Sequence, residues 1–313
     1  MAKTEEIQVV CAGKRPGETV NLPGAVTRPS DGRTSDTGVI LLHGAGGDLY
    51  GGHMNTTAES FAENLRTPVF RVTMKSPEAN YRLRAAHGLI RVALKAGVVR
   101  FILAGQSNGA RVCCNLLRQI VDPEKHSHAF PKASPSAELV SRFKAVRDRT
   151  PGFARVVGLA LFSYPLHAPG KASREASREA ELERAFDAAP KTFAAVFVRG
   201  ENDAFAERTR FDECVRRALG RYAERFPTDD DSARSSVSSV SARNAFRDAV
   251  YVMPGGDHGL RVAKSAADST EEARRKALAF VCETMRLSDA APPPKGKGKR
   301  AREGEKAEAS RAR

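Results

Sequence analysis

The sequence lacks several features that mark whole classes of protein. It contains no tryptophan, and aromatic residues make up only 6% of it, which is little for the stacking platforms that hold single-stranded nucleic acid. No apolar run approaches the roughly eighteen residues that a membrane-spanning helix needs, so the sequence predicts no membrane span. The first ten residues, MAKTEEIQVV, carry acidic side chains where a secretory signal would have its apolar run. We therefore expect neither a secreted nor a membrane-spanning protein.

Cysteine is also scarce, and its pattern excludes the usual cysteine frameworks. The five cysteines are odd in number, and their spacing matches neither a zinc site nor a set of disulfides. Cys113 and Cys114 are neighbours on a predicted helix, where a disulfide between them would be strained. Cys11, Cys214 and Cys282 are predicted to be small buried apolar residues. This usage predicts a reducing compartment, the cytoplasm or the nucleus, and no metal site.

Positive charge is abundant but unevenly distributed. The chain has 51 Lys and Arg against 37 Asp and Glu, a net charge of +14. Residues 295–313 hold eight of the basic residues and three of the acidic ones, so +5 of this charge follows the proline-rich segment 290–294. Two interpretations of this tail stay open: a solvated disordered extension, or a patch around residues 295–302 for nuclear targeting or polyanion binding. Charge alone does not lead us to predict nucleic-acid binding.

Apolar runs of strand length alternate with helical patterns along most of the chain. Continuous apolar strands are typical of sheets buried on both faces, so the alternation predicts an α/β fold with a mostly parallel sheet and helices on both faces. The predicted strands are Val39–His43, Val69–Thr73, Phe101–Ala104, Val156–Ser163, Ala195–Val198 and Ala249–Met253. The predicted helices are Thr56–Leu65, Tyr81–Ala96, Asn108–Ile120, Ala204–Phe226 and Ser269–Arg286.

The chain is predicted to have three parts. Residues 1–35 form an N-terminal extension, in which Ile7–Ala12 and Val20–Thr27 are candidate antiparallel edge strands. Residues 36–288 form the α/β domain, and residues 289–313 form the basic tail. Three polar segments are predicted to be insertions into the domain: a proline-containing stretch at 126–152, an exposed helix at 171–189 and a serine-rich loop at 228–243.

One motif points to a nucleophile. The predicted strand at residues 101–104 leads into GQSNG, residues 105–109, and a helical pattern follows. The pattern G-x-S-x-G between a strand and a helix is typical of a nucleophile elbow, where the serine, here Ser107, lies on a strained turn. Side chains at the two glycine positions would collide with the neighbouring strand and helix. The motif alone is common, and its position between strand and helix is what makes it specific.

A serine nucleophile needs a base and an acid that orients the base. In hydrolases with a nucleophile elbow, the acid follows the serine along the chain and the histidine follows the acid. Asp203 follows the strand that ends near residue 198, and His258 follows the strand that ends near residue 253, so both are predicted at the carboxyl edge of the sheet. Glu201 is an alternative acid. Asp257 is poorly placed to orient its own neighbour, His258.

The glycine-rich segment HGAGGD, residues 43–48, follows an early strand. Such a turn can direct backbone N–H groups into a site, and we assign the two donors of an oxyanion hole to the N–H groups of Ala45 and Asn108. A phosphate-binding loop is the competing interpretation. It would need a G-K-[S/T] ending or a G-x-G-x-x-G spacing, and the segment has neither.

Four motifs together resemble the KANL/Tex-type α/β-hydrolase-like family and, more distantly, dienelactone-hydrolase-type enzymes: HGAGGD, GQSNGAR, SYPLH and GGDHGL. The resemblance runs from about residue 36 to 287 and implies an α/β-hydrolase fold. The family elbow usually has methionine after the serine; Asn108 stands there in this chain, which would alter the acyl pocket and leave the N–H donor in place. The family it resembles includes the testis-expressed Tex proteins and a subunit of a nuclear acetyltransferase complex, and several of its members are interaction modules.

Four further residues are candidates for substrate binding. Arg111 lies one helical turn after Ser107 and Arg261 lies three residues after His258, so either guanidinium could hold a carboxylate. The alternative is a structural ion pair, for example with Asp48 or Asp203. Tyr164 and His167, in the SYPLH segment, either shape the pocket or belong to a rigid turn.

The sequence therefore predicts a serine hydrolase with an α/β-hydrolase fold and a small-molecule acyl substrate. Ser107, His258 and Asp203 would act as nucleophile, base and orienting acid, without a metal or cofactor. The alternative is a catalytically silent hydrolase-like scaffold of a nuclear protein complex, with protein partners bound through the basic tail. Both hypotheses place the protein in the cytoplasm or the nucleus.

Overall fold

The computed structural model describes residues 1–15, 17–121, 155–167, 176–191, 193–225, 249–263 and 267–289. The predicted insertions at 126–152 and 228–243 lie outside these residues, as do the first residues of the segment 171–189 and the basic tail from residue 290. No helix in the described ranges is long and apolar enough to cross a membrane.

Eight strands form a single sheet in the order β1-β2-β4-β3-β5-β6-β7-β8. Strands β3 to β8 run parallel to one another, and β1 and β2 form an antiparallel hairpin at one edge, where β2 pairs antiparallel with β4. The strands are β1 (Lys3–Ala12), β2 (Thr19–Arg28), β3 (Thr37–Leu42), β4 (Val69–Val72), β5 (Arg100–Gln106), β6 (Arg155–Phe162), β7 (Ala194–Gly200) and β8 (Val250–Met253).

The described residues contain six long helices, which cover both faces of the sheet. Helices α1 and α6 pack on one face, and α2 to α5 pack on the other. They are α1 (Met54–Leu65), α2 (Ala79–Lys95), α3 (Asn108–Val121), α4 (Ala176–Ala188), α5 (Arg208–Arg225) and α6 (Thr270–Asp289). The predicted α/β class, a mostly parallel sheet between two layers of helices, is confirmed.

Strand β3 shows why the central strands are apolar throughout. All six of its residues are buried, and its side chains alternate between the two helical layers: Val39 and Leu41 join one core, and Ile40 and Leu42 join the other. Because successive side chains of a strand point to opposite faces, a strand covered on both faces has no position left for a solvated residue.

Two helix predictions are corrected. The helix predicted over 171–189 is not exposed: α4 joins β6 to β7, and its residues Leu182 and Phe186 are fully buried. Two of its glutamates pair with arginines of α5, for example Glu183 with Arg217 at 2.8 Å, and Glu181 pairs with Arg111 of α3. The helix predicted to begin at Ala204 begins at Arg208, because the residues after β7 form a turn.

Three buried histidines make the fold sensitive to acid. Burial lowers the pKa of His43, His53 and His87 to about 4. Between pH 6.5 and 4 the unfolded chain takes up protons at these positions and the folded chain does not. The free energy of unfolding therefore decreases as the pH is lowered through this range. The slope contributed by each histidine approaches about 1.4 kcal/mol per pH unit.

The variant His87→Gln isolates one of these contributions. His87 Nε2 lies 2.9 Å from Gln119 Oε1, and a glutamine amide can donate to the same oxygen. We expect urea unfolding between pH 7 and pH 4.5 to show a slope smaller by about 1.4 kcal/mol per pH unit in the variant. Equal slopes in the two proteins would contradict a neutral buried His87.

Candidate active site

The predicted site residues lie where three parallel strands of the sheet, β5, β7 and β8, end. Ser107 directly follows β5, Asp203 lies three residues after β7, and His258 lies five residues after β8. Since parallel strands carry their carboxyl ends to the same edge of a sheet, their connecting loops meet there, which is where open α/β sheets bind ligands. The structure brings all three side chains together at this edge.

Ser107 lies on a strained turn between β5 and α3. Its φ is 51°, in the left-handed region that costs a non-glycine residue about 1 kcal/mol or more. Its N–H donates to Phe162 O at 2.8 Å, which fastens the turn to β6. The elbow also requires its glycines: a methyl group on Gly109 would lie 2.2 Å from Leu42 O, and one on Gly105 would lie 2.5 Å from the Gly109 carbonyl. The predicted steric role of both glycines is confirmed.

Hydrogen bonds connect the three side chains in series. Ser107 Oγ lies 2.8 Å from His258 Nε2, and His258 Nδ1 lies 2.8 and 3.0 Å from the two carboxylate oxygens of Asp203. A carboxylate only accepts, so Nδ1 carries the ring proton and Nε2 accepts from the serine hydroxyl. The Asp203 side chain is completely buried and that of His258 is 19% exposed. The arrangement can remove a proton from Ser107.

Two residues that the sequence did not reveal hold the histidine in place. The Phe205 ring stacks on the His258 imidazole, with centroids 3.9 Å apart, and its N–H donates to Asp203 Oδ1 at 2.9 Å. Arg274, on α6, donates to the carbonyls of Gly259 and Leu260 at 3.0 and 2.8 Å. An aromatic residue two positions after the acid was the only available signal for Phe205, and none marked Arg274.

The alternative acids contact other groups. Glu201 Oε2 accepts from the N–H of Gly255 at 2.8 Å, which closes the turn after β8. Asp257 pairs with Arg261 at 3.0 Å on the surface. Asp203 is thus the acid that the structure places on the His258 ring.

The glycine-rich segment after β3 lies against the nucleophile. A methyl group on Gly44 would lie 3.5 Å from Ser107 Cβ, and Gly47 N–H donates to Gly44 O in a tight turn. Asn108 is the first residue of α3, so its N–H has no partner within the helix. The Asn108 side chain, expected to line the acyl pocket, donates to Pro77 O at 3.0 Å.

The candidate substrate-binding residues all have structural contacts. Arg111 pairs with Glu181 of α4 at 2.8 Å, and not with the acids suggested from the sequence. Tyr164 is fully buried, and its hydroxyl donates to Arg178 O. His167 is buried and its backbone N–H donates to Phe205 O at 3.2 Å. The pairing of Arg261 with Asp257 is described above. Contact of these residues with substrate stays a prediction.

In the ranges that the structure describes, no group of three or more His, Cys, Asp or Glu side chains is placed to hold a metal ion. The hydrogen-bonded series Ser107, His258 and Asp203 lies at the carboxyl edge of the sheet.

Comparisons with known proteins agree with this architecture. A family profile described as an alpha/beta hydrolase domain matches residues 35–224. A search of curated proteins found no match. Among solved structures, an esterase from Pyrococcus furiosus has a TM-score of 0.51 at 13% identity, over 91% of this chain and 93% of its own. An esterase from the archaeon Pyrobaculum calidifontis also has a TM-score of 0.51, at 14% identity, over 92% and 87%.

A third solved structure is named for two activities. It is a dienelactone hydrolase-like promiscuous phosphotriesterase from metagenomic libraries, with a TM-score of 0.50 at 13% identity, over 91% of this chain and 98% of its own. At such low identity these likenesses show the fold alone.

Proposed function

We propose that this chain, which belongs to the α/β hydrolase family, is a serine hydrolase. Its reaction would be cleavage of an ester, a thioester or a related acyl bond. The observation that carries the proposal is the hydrogen bond of 2.8 Å from Ser107 Oγ to His258 Nε2, on a ring oriented by buried Asp203. Two of the structural neighbours are named as esterases, which fits an ester among the candidate substrates.

The chemistry follows from the proton positions. His258 Nε2 takes the hydroxyl proton as Ser107 Oγ attacks the acyl carbon, and the carbonyl oxygen becomes an oxyanion. Asp203 stabilises the resulting imidazolium. The imidazolium then gives its proton to the leaving alcohol or thiol as the bond to it breaks. Water, activated by His258 in the same way, releases the acyl group from Ser107.

The N–H groups of Ala45 and Asn108 are the proposed oxyanion donors. Gly44, next to Ala45, lies against Ser107, and Asn108 follows Ser107 at the positive end of α3. Each such donor contributes on the order of 3 kcal/mol of transition-state stabilisation. The substrate is proposed to be a small acyl compound, and the compartment the cytoplasm or the nucleus.

A fluorophosphonate probe tests the proposal, because it reacts with an activated serine by displacement of fluoride from phosphorus. We expect the wild-type protein to be labelled at Ser107 and the variant Ser107→Ala to remain unlabelled. Ser163→Ala is the matched control: Ser163 also follows a strand, also has a left-handed backbone (φ 48°) and is buried. Its variant should be labelled like wild type.

The opposite outcome supports the alternative function. A folded wild-type protein that resists the probe, or labelling that persists in Ser107→Ala, would exclude the proposed nucleophile. Where the folded wild type resists the probe, a silent scaffold of a nuclear complex, with partners bound through residues 289–313, is the remaining hypothesis from the sequence.

A further inference from the structure

Arg82 is a buried cation beside the proposed site, and the catalytic steps above do not use it. It lies in the first turn of α2 and its side chain is fully buried. In the part of the chain that the structure describes, its guanidinium forms no ion pair with a carboxylate, and Tyr81 is the neighbour that favours its charge. Burying a charge without a counter-ion is costly, and this cost lowers the pKa of Arg82 to about 10. A residue that serves packing alone would not require a cation at this position.

The guanidinium donates to backbone carbonyls of two segments, and its Nη2 also lies 3.2 Å from His43 Nδ1. Its Nε donates to Ser76 O at 3.1 Å, in the segment before α2. Its Nη1 donates to His43 O at 2.8 Å, and its Nη2 donates to Gly44 O at 2.7 Å. Arg82 thereby ties the glycine-rich turn after β3 to the chain that precedes α2.

His43 adds a second donor to the same carbonyl. Its Nε2 accepts from the N–H of Met74 at 2.8 Å, so its proton lies on Nδ1, which is 2.7 Å from Gly44 O. The ring stays neutral near pH 7, because burial lowers its pKa to about 4. Gly44 O therefore accepts from both an arginine and a histidine, which fixes the plane of the peptide that follows it.

That peptide is the one that carries the proposed oxyanion donor. Gly44 O and Ala45 N–H belong to the same planar trans peptide unit, in which the carbonyl and the N–H point in opposite directions. Holding Gly44 O on the Arg82 side thus directs Ala45 N–H to the other side. A cation at the oxygen also polarises the peptide and makes its N–H a stronger donor.

We propose that Arg82 is a positioning residue for the oxyanion hole, acting through the Gly44–Ala45 peptide. The inference rests on the proposed function, since it needs an oxyanion to form at Ser107. It assigns to Arg82 a contribution to the transition state and none to substrate binding. Loss of Arg82 should accordingly lower kcat and leave KM nearly unchanged.

The variants Arg82→Met and Arg82→Lys test this assignment on an activated ester. Methionine retains an apolar stem and removes every donor, and we expect kcat to fall about 10²-fold, as for the loss of one oxyanion donor. Lysine retains the charge and can reach one carbonyl, so it should restore part of kcat. Arg84→Met is the matched control, because Arg84 lies on the same helix and donates to Ala12 O, at the end of β1. Its kcat should equal that of wild type.

A second measurement separates positioning from folding. A trifluoromethyl ketone forms an oxyanion on the serine, so its affinity should fall in parallel with kcat, and the affinity of an unreactive substrate analogue should not change. Fluorophosphonate titration counts the folded active sites in each preparation, so kcat is expressed per competent molecule. If Arg82→Met does not fold, kcat and ketone affinity are compared between Arg82→Lys and the wild type.

The outcomes separate a failure of the proposed function from a failure of the role inferred for Arg82. A wild-type protein that the probe does not label overturns the proposed function, and this inference with it. A labelled wild type whose Arg82 variants retain kcat, or lose kcat without weaker ketone binding, overturns the inference alone. A parallel loss of kcat and ketone affinity, at constant KM, supports it.

Discussion

Replacing Asp203 with asparagine is expected to lower kcat/KM for an activated ester about 10⁴-fold, the cost of the wrong histidine tautomer in such a triad. The N–H of Phe205 donates to Asp203 Oδ1, so an asparagine would keep its carbonyl oxygen there. Its amide nitrogen would then replace Oδ2, 3.0 Å from His258 Nδ1, and as a donor would disfavour a proton on that nitrogen. The ring proton would move to Nε2, which could no longer accept the proton of Ser107.

Glu201→Gln is the control for this variant, because Glu201 was the alternative acid. A glutamine oxygen can still accept from Gly255 N–H, so the turn after β8 should be preserved and activity should match that of wild type. Steady-state kinetics of the wild type, Asp203→Asn and Glu201→Gln, at equal concentrations of folded chain, measures which acid supports activity. A loss of less than about tenfold in Asp203→Asn would mean that another group orients His258.

Replacing Gly109 with alanine is expected to reduce the free energy of unfolding by about 3 kcal/mol or more. The added methyl group would lie 2.2 Å from Leu42 O and 2.7 Å from His43 O. Both are backbone atoms at the end of a fully buried strand, so neither can move without displacing β3. Urea unfolding measures the loss.

Gly220→Ala provides the matched comparison within the same protein. Gly220 lies inside α5, and a methyl group there would have no neighbour within 4 Å. Alanine is the better helix former, so this variant should gain about 0.5 to 1 kcal/mol. Two glycine-to-alanine changes with opposite signs would show that the elbow glycine is required by space and not by flexibility. A neutral Gly109→Ala would refute the close contact.

The sequence was enough to predict the helices and strands and the order of the site residues along the chain, since both depend on local pattern. Each of Ser107, Asp203 and His258 follows an apolar strand, and parallel strands carry such residues to one edge. Helix α4 was misjudged because its glutamates resemble a solvated surface, although Leu182 and Phe186 lie on its other face. These glutamates pair with arginines of two other helices, α3 and α5, which periodicity cannot reveal.

The supporting residues could not be predicted for a related reason. Phe205, Arg274 and Arg82 act through backbone carbonyls or ring faces of segments far from them in sequence. A backbone carbonyl acceptor cannot be recognised from the amino-acid sequence, because every residue has one. Such contacts become visible only once the loops are placed in space.

The five cysteines give this protein its own set of reporters of local opening. All five are buried free thiols, and burial raises the pKa of each. The thiolate is the form that attacks an alkylating reagent and displaces its leaving group, so alkylation of each buried sulfur must wait until its element opens. Cys11 lies on the edge hairpin, Cys113 and Cys114 on the helix behind the nucleophile, and the other two on α5 and α6. The alkylation rate at each position would therefore rank these elements by how often they detach from the rest of the molecule.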